Sequence, residues 1–234
     1  MRLLVVSATE REAQSISEWC KPTKSTSKWV KSFHYENAII DVLVTGAGIV
    51  PTTYALGRLL MLYSYDLAIN IGLAGSFKKE YLLGSVVNVV EDRFSELGAE
   101  DGGNFIPIGD MNLPGYDGFP FEDGMLHPDE PDDVELLKEI PHVKGITVNT
   151  VHGNVESINN VVEQYDPDVE TMEGAAFFYC CMRSKLPCLQ IRAISNIVEK
   201  RNKDNWQIEP ALDNLSRAIG KFIKEVSLSI QGEV

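Results

Sequence analysis

The sequence predicts an α/β protein, a three-layer α/β/α sandwich formed by a single domain around a central mixed sheet. Three observations predict it. Six short apolar runs lie at 3–7, 39–45, 67–71, 86–90, 146–151 and 189–194. They are too short and too β-branched for helices and read as strands buried on both faces. Five stretches with helical spacing lie between or after them, at 9–20, 51–63, 155–165, 172–183 and 208–226, and alternation of this kind puts helices on both faces of a sheet. Finally, 234 residues with 44% hydrophobic and 24% charged content are enough to bury one full core, so residues 1–234 read as one domain.

Each element has a local reason. The run Leu3-Leu4-Val5-Val6-Ser7 opens the sheet, and Thr9 followed three residues on by Glu12 has the spacing of a capping box that starts the helix over 9–20. The run over 39–45 ends in Thr45-Gly46-Ala47-Gly48, from which Pro51 leads into the second helix. The run over 67–71 passes into Gly72-Leu73-Ala74-Gly75-Ser76, read as a second glycine turn just beyond a strand end. Residues 98–131 are rich in Gly, Pro, Asp and Glu, with Phe105, Tyr116, Phe119 and Phe121 among them. They read as a long irregular segment, either a lid or interface loop or an exposed insertion. His152 is read as ending the strand expected over 146–151. In the last helix Ile208, Leu212, Leu215, Ile219, Phe222 and Val226 recur every three or four residues, the stripe of a covering helix.

Composition excludes several classes of function. A formal net charge of -13 argues against nucleic acid or an anionic membrane as partner. Cys20, Cys180, Cys181 and Cys188 lack metal-type spacing and sit mostly in apolar surroundings, as reduced buried thiols do. No apolar run approaches the roughly 18 residues of a membrane span, and the first residues do not form a signal segment. The expectation is a cytoplasmic protein that binds a small molecule. His34, His127, His142 and His152 have no partners at metal or triad spacing, so no metal or other cofactor is expected.

The most informative stretch is Val169-Glu170-Thr171-Met172-Glu173-Gly174-Ala175-Ala176, followed by Arg192-Ala193-Ile194-Ser195-Asn196. Glu173 opens an otherwise apolar helix, and an unpartnered carboxylate beside a core costs several kcal/mol, about the scale of a lost buried ion pair. A ligand carrying hydroxyls would give it a partner. Two strand-end glycine turns would line the cleft where open α/β sheets bind ligands. Glu12 has two readings, a capping residue or a general base facing that cleft, and Arg192 likewise is either an ion-pair partner or a site residue.

Taken in order, Ala8-Thr9-Glu10-Arg11-Glu12, Thr45-Gly46-Ala47-Gly48-Ile49, Asn70-Ile71-Gly72-Leu73-Ala74-Gly75, Glu170-Thr171-Met172-Glu173-Gly174 and Arg192-Ala193-Ile194-Ser195-Asn196 resemble the purine nucleoside phosphorylase and nucleosidase superfamily. Within it the run Ile194-Ser195-Asn196-Ile197-Val198-Glu199-Lys200-Arg201-Asn202 is similar to the futalosine hydrolases of menaquinone biosynthesis. The resemblance implies cleavage of an N-glycosidic bond through a ribosyl cation-like state. Glu173 would accept hydrogen bonds from the ribose hydroxyls and favour the cation, Met172 would pack on the sugar, and Glu12 would take a proton from water. Arg192 would place that water or Glu173, while Gly48, Ala74 and Gly75 would let backbone approach the ligand. Phe105, Tyr116 and His152 are candidates for stacking on the base.

One residue departs from part of that family. Adenine-specific nucleosidases carry an aspartate where this chain has Asn196, and an amide cannot act as their general acid. It can donate to N7 or O6 of a 6-oxopurine, which implies a hypoxanthine or guanine nucleoside such as futalosine. The run Gly72-Leu73-Ala74-Gly75 has no arginine to cradle phosphate, so water is the expected nucleophile, although Arg11, Arg93 and Arg201 could approach in three dimensions. Methylthioadenosine/S-adenosylhomocysteine nucleosidase, purine nucleoside phosphorylase and a non-catalytic nucleoside sensor are the competing readings. The family also implies a homo-oligomer.

Overall fold

Residues 1–111, 113–116, 118–131 and 134–228 are described by a computed structural model. In chain order, β1 (Arg2–Ser7) leads into α1 (Glu10–Ala13), α2 (Ile16–Trp19), β2 (Lys21–Pro22), β3 (Lys31–Tyr35) and β4 (Ala38–Val44). Next come α3 (Ile49–Leu60), β5 (Leu67–Ser76) and β6 (Val86–Glu91), then two small hairpins, β7 (Gly98–Asp101) with β8 (Asn104–Pro107) and β9 (Phe121–Glu122) with β10 (Met125–Leu126). The chain finishes through α4 (Glu135–Glu139), β11 (His142–Thr147), α5 (Val155–Tyr165), β12 (Val169–Thr171), α6 (Gly174–Arg183), β13 (Cys188–Ile197) and α7 (Ile208–Leu228).

The strands form one mixed sheet in the order β12-β11-β6-β13-β5-β1-β4-β3-β2. β4, β1, β5 and β13 run parallel, and β13 meets β6 antiparallel. β12 also pairs antiparallel with the end of β5, Glu170 opposite Gly75, so β5, β13, β6, β11 and β12 close into a ring at one end of the sheet. Successive side chains of β1 enter different layers, as the period of a strand requires. Leu3 and Val5 pack with Leu215, Ile219, Phe222 and Ile223 of α7, whereas Leu4 and Val6 pack with Leu56 and Leu59 of α3 and Phe177 and Phe178 of α6. All four cysteines are buried and unbridged.

Several elements differ from the sequence expectation. The helix over 9–20 is two short helices, because Ser17 N–H and Glu18 N–H bond three residues back to Gln14 and Ser15, tightening the chain between them. This turns Trp19 towards α7, where its Nε1 donates to Ser216 Oγ at 3.2 Å. The strand expected over 146–151 lies at His142–Thr147, so His152 belongs to the loop that follows it and does not end a strand. Residues 98–131 are not wholly irregular, since they contain both hairpins and a 3-10 turn at Ile108–Met111; positions 112 and 117 of that segment lie outside the described residues.

The second glycine turn is the largest correction. β5 continues to Ser76, paired with β13 as far as Ile197↔Ser76. Gly72 and Gly75 therefore sit within an extended strand, and neither is among the residues with positive φ. What they provide is space: a Cβ on Gly72 would enter the Arg192 guanidinium and stand 2.8 Å from Glu12 Oε1, and one on Gly75 would stand 3.1 Å from Asn196 Nδ2. The first glycine turn does exist. Gly46 and Gly48 have φ of 88° and 105°, and Gly48 caps α3, a conformation that favours glycine.

Candidate active site

A cavity of about 230 Å³ opens beyond the C-terminal ends of β1, β5 and β13, the place where open α/β sheets bind ligands. Its lining includes Glu12, Met172, Glu173, Ala74, Gly75 and Asn196. Gly48 joins them by a hydrogen bond to Glu173.

Glu12 caps a helix and also lines the cavity. Its Oε2 accepts from Thr9 N–H and Thr9 Oγ1, each at 2.8 Å, while its own N–H donates to Thr9 Oγ1, completing the capping box of α1. The other oxygen, Oε1, accepts from Leu73 N–H at 3.3 Å and lies beside Gly72. One oxygen is thus occupied by the fold, and the other faces the end of β5 where the cavity lies.

Glu173 stands at the N-cap of α6 and is only 5% exposed. Gly48 N–H donates to its Oε1 at 2.9 Å, and Arg192 Nη1 lies 3.8 Å from its Oε2. Burial pushes the Glu173 carboxyl above its ordinary range, against the opposing pull of Arg192 and the Gly48 N–H. A carboxylate placed this way gains from additional hydrogen-bond donors, which is what a pair of sugar hydroxyls would bring.

Behind Glu173 lies a polar network that sequence reasoning missed. Arg192 is 1% exposed; its Nε donates to Gln190 Oε1 at 2.9 Å and its Nη2 donates to Asn70 Oδ1. Gln190 Nε2 in turn donates to Asp92 Oδ2 at 3.1 Å. Asp92 Oδ1 accepts from Arg93 N–H at 2.8 Å and from Thr147 Oγ1 at 3.0 Å, and Thr147 Oγ1 itself accepts from Ala175 N–H in the first turn of α6. Burial pushes Asp92 up to about 6, with Gln190, Thr147, Arg192 and the Arg93 N–H pulling the other way. α6 can pass this close because residue 174 is glycine: a Cβ there would overlap Asp92 and Gln190. Arg192 is therefore both an ion-pair partner of Glu173 and the end of a buried chain.

On another wall, β13 bulges between Ile194 and Asn196. Ser195 Oγ lies 2.8 Å from Asn196 Oδ1 and 3.3 Å from Ala74 O, and Asn196 Nδ2 donates to Ile197 O at 3.1 Å. Next to them Glu170, 4% exposed, pairs with His152, also in the cavity lining. Phe105 and Tyr116 are elsewhere. Phe105 packs in the β7–β8 hairpin over Gly98, and Tyr116 stacks on Phe121 with ring centroids 5.3 Å apart. Arg11 pairs with Glu209, and Arg93 lies 4.7 Å over the Tyr165 ring. Arg201 is the one lysine or arginine among the lining residues, and its guanidinium lies 5.2 Å over the ring of Trp206.

Comparison with known proteins bears on this geometry. The profile of the phosphorylase superfamily matches residues 2–230. The futalosine hydrolase of Thermus thermophilus is 28% identical over 190 residues, covering 78% of this chain and 80% of its own. A 5′-methylthioadenosine/S-adenosylhomocysteine nucleosidase of Colwellia psychrerythraea is 22% identical over 242 residues, 94% of each chain. Among solved structures, futalosine hydrolase of Helicobacter pylori strain 26695 superposes with a TM-score of 0.78 at 14% identity, over 96% of this chain and 98% of that one, a likeness of fold.

Proposed function

The chain belongs to the phosphorylase superfamily, and from that premise we propose that it is a nucleosidase that hydrolyses futalosine, a 6-oxopurine nucleoside, to release hypoxanthine for menaquinone biosynthesis. The observation that carries this reading is the convergence of two carboxylates and one amide, Glu12, Glu173 and Asn196, on a single cavity. Similarity to the Thermus thermophilus futalosine hydrolase supports the branch.

Cleavage separates charge, leaving the sugar positive and the base negative, so the site must stabilise both ends in the transition state. Glu173, held by Gly48 N–H and Arg192, accepts from the ribose hydroxyls, and its charge favours the oxocarbenium-like sugar. Met172 lies against that sugar. Glu12 Oε1 takes a proton from the attacking water while Oε2 keeps the side chain fixed to Thr9. Asn196, with Oδ1 beside Ser195 Oγ, turns its amide towards the base and donates to N7 or O6.

Water is the nucleophile in this reading because, among the described residues, the cavity wall has no cluster of arginines. Arg192 stands behind Glu173, engaged by Gln190, Asn70 and Glu173, and Arg201 is the one guanidinium among the lining residues. The full-length similarity to the Colwellia psychrerythraea nucleosidase favours a second reading, hydrolysis of methylthioadenosine; Asn196 in place of an acid counts against it. Base release from futalosine, inosine and methylthioadenosine, with and without phosphate, tests these readings. Phosphate-independent hypoxanthine supports the first reading, adenine the second, and phosphate dependence a phosphorylase. Binding without release would leave a sensor.

Two variants probe the walls. Asn196→Asp is expected to lower hypoxanthine release about tenfold or more and to admit adenine nucleosides, since a carboxylate accepts from the 6-amino group of adenine and repels O6 of a 6-oxopurine, to which the amide donates. An unchanged ratio of hypoxanthine to adenine released would show that Asn196 does not read the base. Gly72→Ala places a methyl group against Arg192 and Glu12; overpacking of this kind costs about 1–3 kcal/mol, and a loss of kcat of about tenfold is expected from displacing Glu12. Wild-type kcat in that variant would mean the two side chains can shift without cost.

We read residues 1–234 as one such domain, acting in the cytoplasm as a homo-oligomer. None of the helices among the described residues is long and apolar enough to cross a membrane. α3 leaves Val50 and Tyr54 exposed at 75% and 67%, apolar surface of the kind a second copy would cover.

A further inference from the structure

The geometry points to Glu170 and His152 as the pair that protonates the departing base, a task the Asn196 amide cannot perform. This rests on the nucleosidase reading above. His152 Nδ1 lies 2.6 Å from Glu170 Oε2, and the His152 backbone N–H donates to both carboxylate oxygens, at 3.1 and 3.3 Å. The two backbone contacts place the Glu170 carboxylate beside His152, and the Nδ1 contact orients the imidazole on it. A carboxylate only accepts, so Nδ1 carries a proton, and Nε2 is the nitrogen left to exchange one with a ligand. Among the described residues Nε2 has no hydrogen bond from the protein, and the side chain lines the cavity. The edge-on ring of Phe77, centroids 6.0 Å apart, packs against the imidazole.

Position ties the pair to the base. A Cβ on Gly75 would stand 3.1 Å from Asn196 Nδ2 and 3.5 Å from Glu170 Cγ, so the amide and the dyad flank one spot. Glu12 and Glu173 belong to the sugar and water side. Electrostatics gives the proton a purpose: Glu12, Glu170, Glu173 and Glu199 line the cavity against the single guanidinium of Arg201. Releasing an anionic purine among four carboxylates is unfavourable, whereas a neutral one leaves without that repulsion.

The step balances. The C1′–N9 bond breaks with its electron pair passing to the purine. His152 enters the step as the imidazolium paired with Glu170, passes its Nε2 proton to N7 and is left with the proton on Nδ1, while the Asn196 amide donates to O6. Water bonds through oxygen to C1′ and gives its proton to Glu12. The base leaves as neutral hypoxanthine and the sugar as its 1′-hydroxyl product, after which the proton on Glu12 returns to His152 through solvent.

The test compares futalosine with its N7-methylated derivative, whose base departs neutral and needs no proton. His152→Gln is expected to lower kcat on futalosine about 100-fold, the scale of a lost general acid, with a loss on the methylated nucleoside at least about tenfold smaller. Glu170→Gln should give the same asymmetry and guards against a His152 variant that fails to fold. Equal losses on both nucleosides, or full turnover of futalosine by both variants, would overturn the dyad as the acid. A wild-type protein that releases base from neither nucleoside would instead overturn the nucleosidase reading, and the dyad's role with it.

Discussion

Glu12→Gln is expected to cut futalosine turnover about 100-fold or more, roughly 2.7 kcal/mol of transition-state stabilisation, with substrate binding and melting temperature close to those of wild type. The separation of effects follows from the two oxygens. Oε2 holds the capping box through Thr9 N–H and Thr9 Oγ1, and glutamine serves in that box as well as glutamate because its amide oxygen still accepts. α1 and the start of the sheet should therefore survive. What is lost is the acceptor at the Oε1 position, a basic atom that also takes the long 3.3 Å hydrogen bond from Leu73 N–H, so the melting temperature should fall only slightly. Single-turnover and steady-state rates on futalosine, with a thermal melt of the same preparation, check it. A loss smaller than tenfold would remove Glu12 from proton abstraction and leave it a capping residue.

The ease with which these residues could be read from sequence depends on how locally they are specified. Thr9 and Glu12 lie three positions apart, and Met172 and Glu173 adjoin, so their spacing carries their geometry. Asn196 and Arg192 share one strand. The alternating strand and helix patterns likewise gave the three layers, because strands such as β1 are buried on both sides and show it in composition. Gly72 and Gly75 were legible as important and misread in kind. A glycine signals conformational freedom more often than clearance, and here clearance for Arg192, Glu12 and Asn196 is what the strand requires. The Glu170–His152 pair was hidden because eighteen positions and the whole of α5 separate its members. Phe105 and Tyr116 were attractive as aromatics in a polar segment, yet Tyr116 is drawn into a cluster with Phe121, and Phe121 lies 5.7 Å from Tyr179 of α6, so burying ring surface decided their place.

Least legible was the network behind the site, since Asn70, Asp92, Thr147 and Gln190 come from β5, the residue after β6, β11 and β13 and meet only where the sheet curls into a ring. Its logic is directional. Arg192 can only donate and ionised Asp92 can only accept, so Gln190 between them is held in one orientation, Oε1 to Arg192 and Nε2 to Asp92. That orientation leaves Arg192 Nη1 towards Glu173. An asparagine at 92 has one acceptor and one donor, so either it or Gln190 must turn a donor towards another donor. The site thus retains a buried carboxylate despite the desolvation it suffers.

Asp92→Asn is expected to reveal the cost of that desolvation as a pH dependence. Burial raises the Asp92 carboxyl from 3.8 to about 6, so between those values the folded protein binds a proton that the unfolded chain has released. The stabilisation associated with the protonated form is fully present below pH 3.8 and is lost as pH rises through about 6. A carboxyl raised that far is destabilising by about 3 kcal/mol once it ionises. Urea unfolding of wild type and variant at pH 4 and pH 7.5 should therefore show the stability difference moving by about 2 kcal/mol in favour of the variant at the higher pH, since part of the change is already made at pH 4. Activity should move the other way: at pH 7.5 the variant, relatively relieved of a buried charge, should turn over futalosine more slowly because Gln190 no longer fixes Arg192. A stability difference that stays flat with pH would mean that Arg192 and the three hydrogen bonds hold Asp92 ionised without penalty. Unchanged kcat would mean that Glu173 is placed by Gly48 N–H and the α6 terminus, with Arg192 a bystander. The two readouts separate what the carboxylate costs the fold from what it contributes to the site.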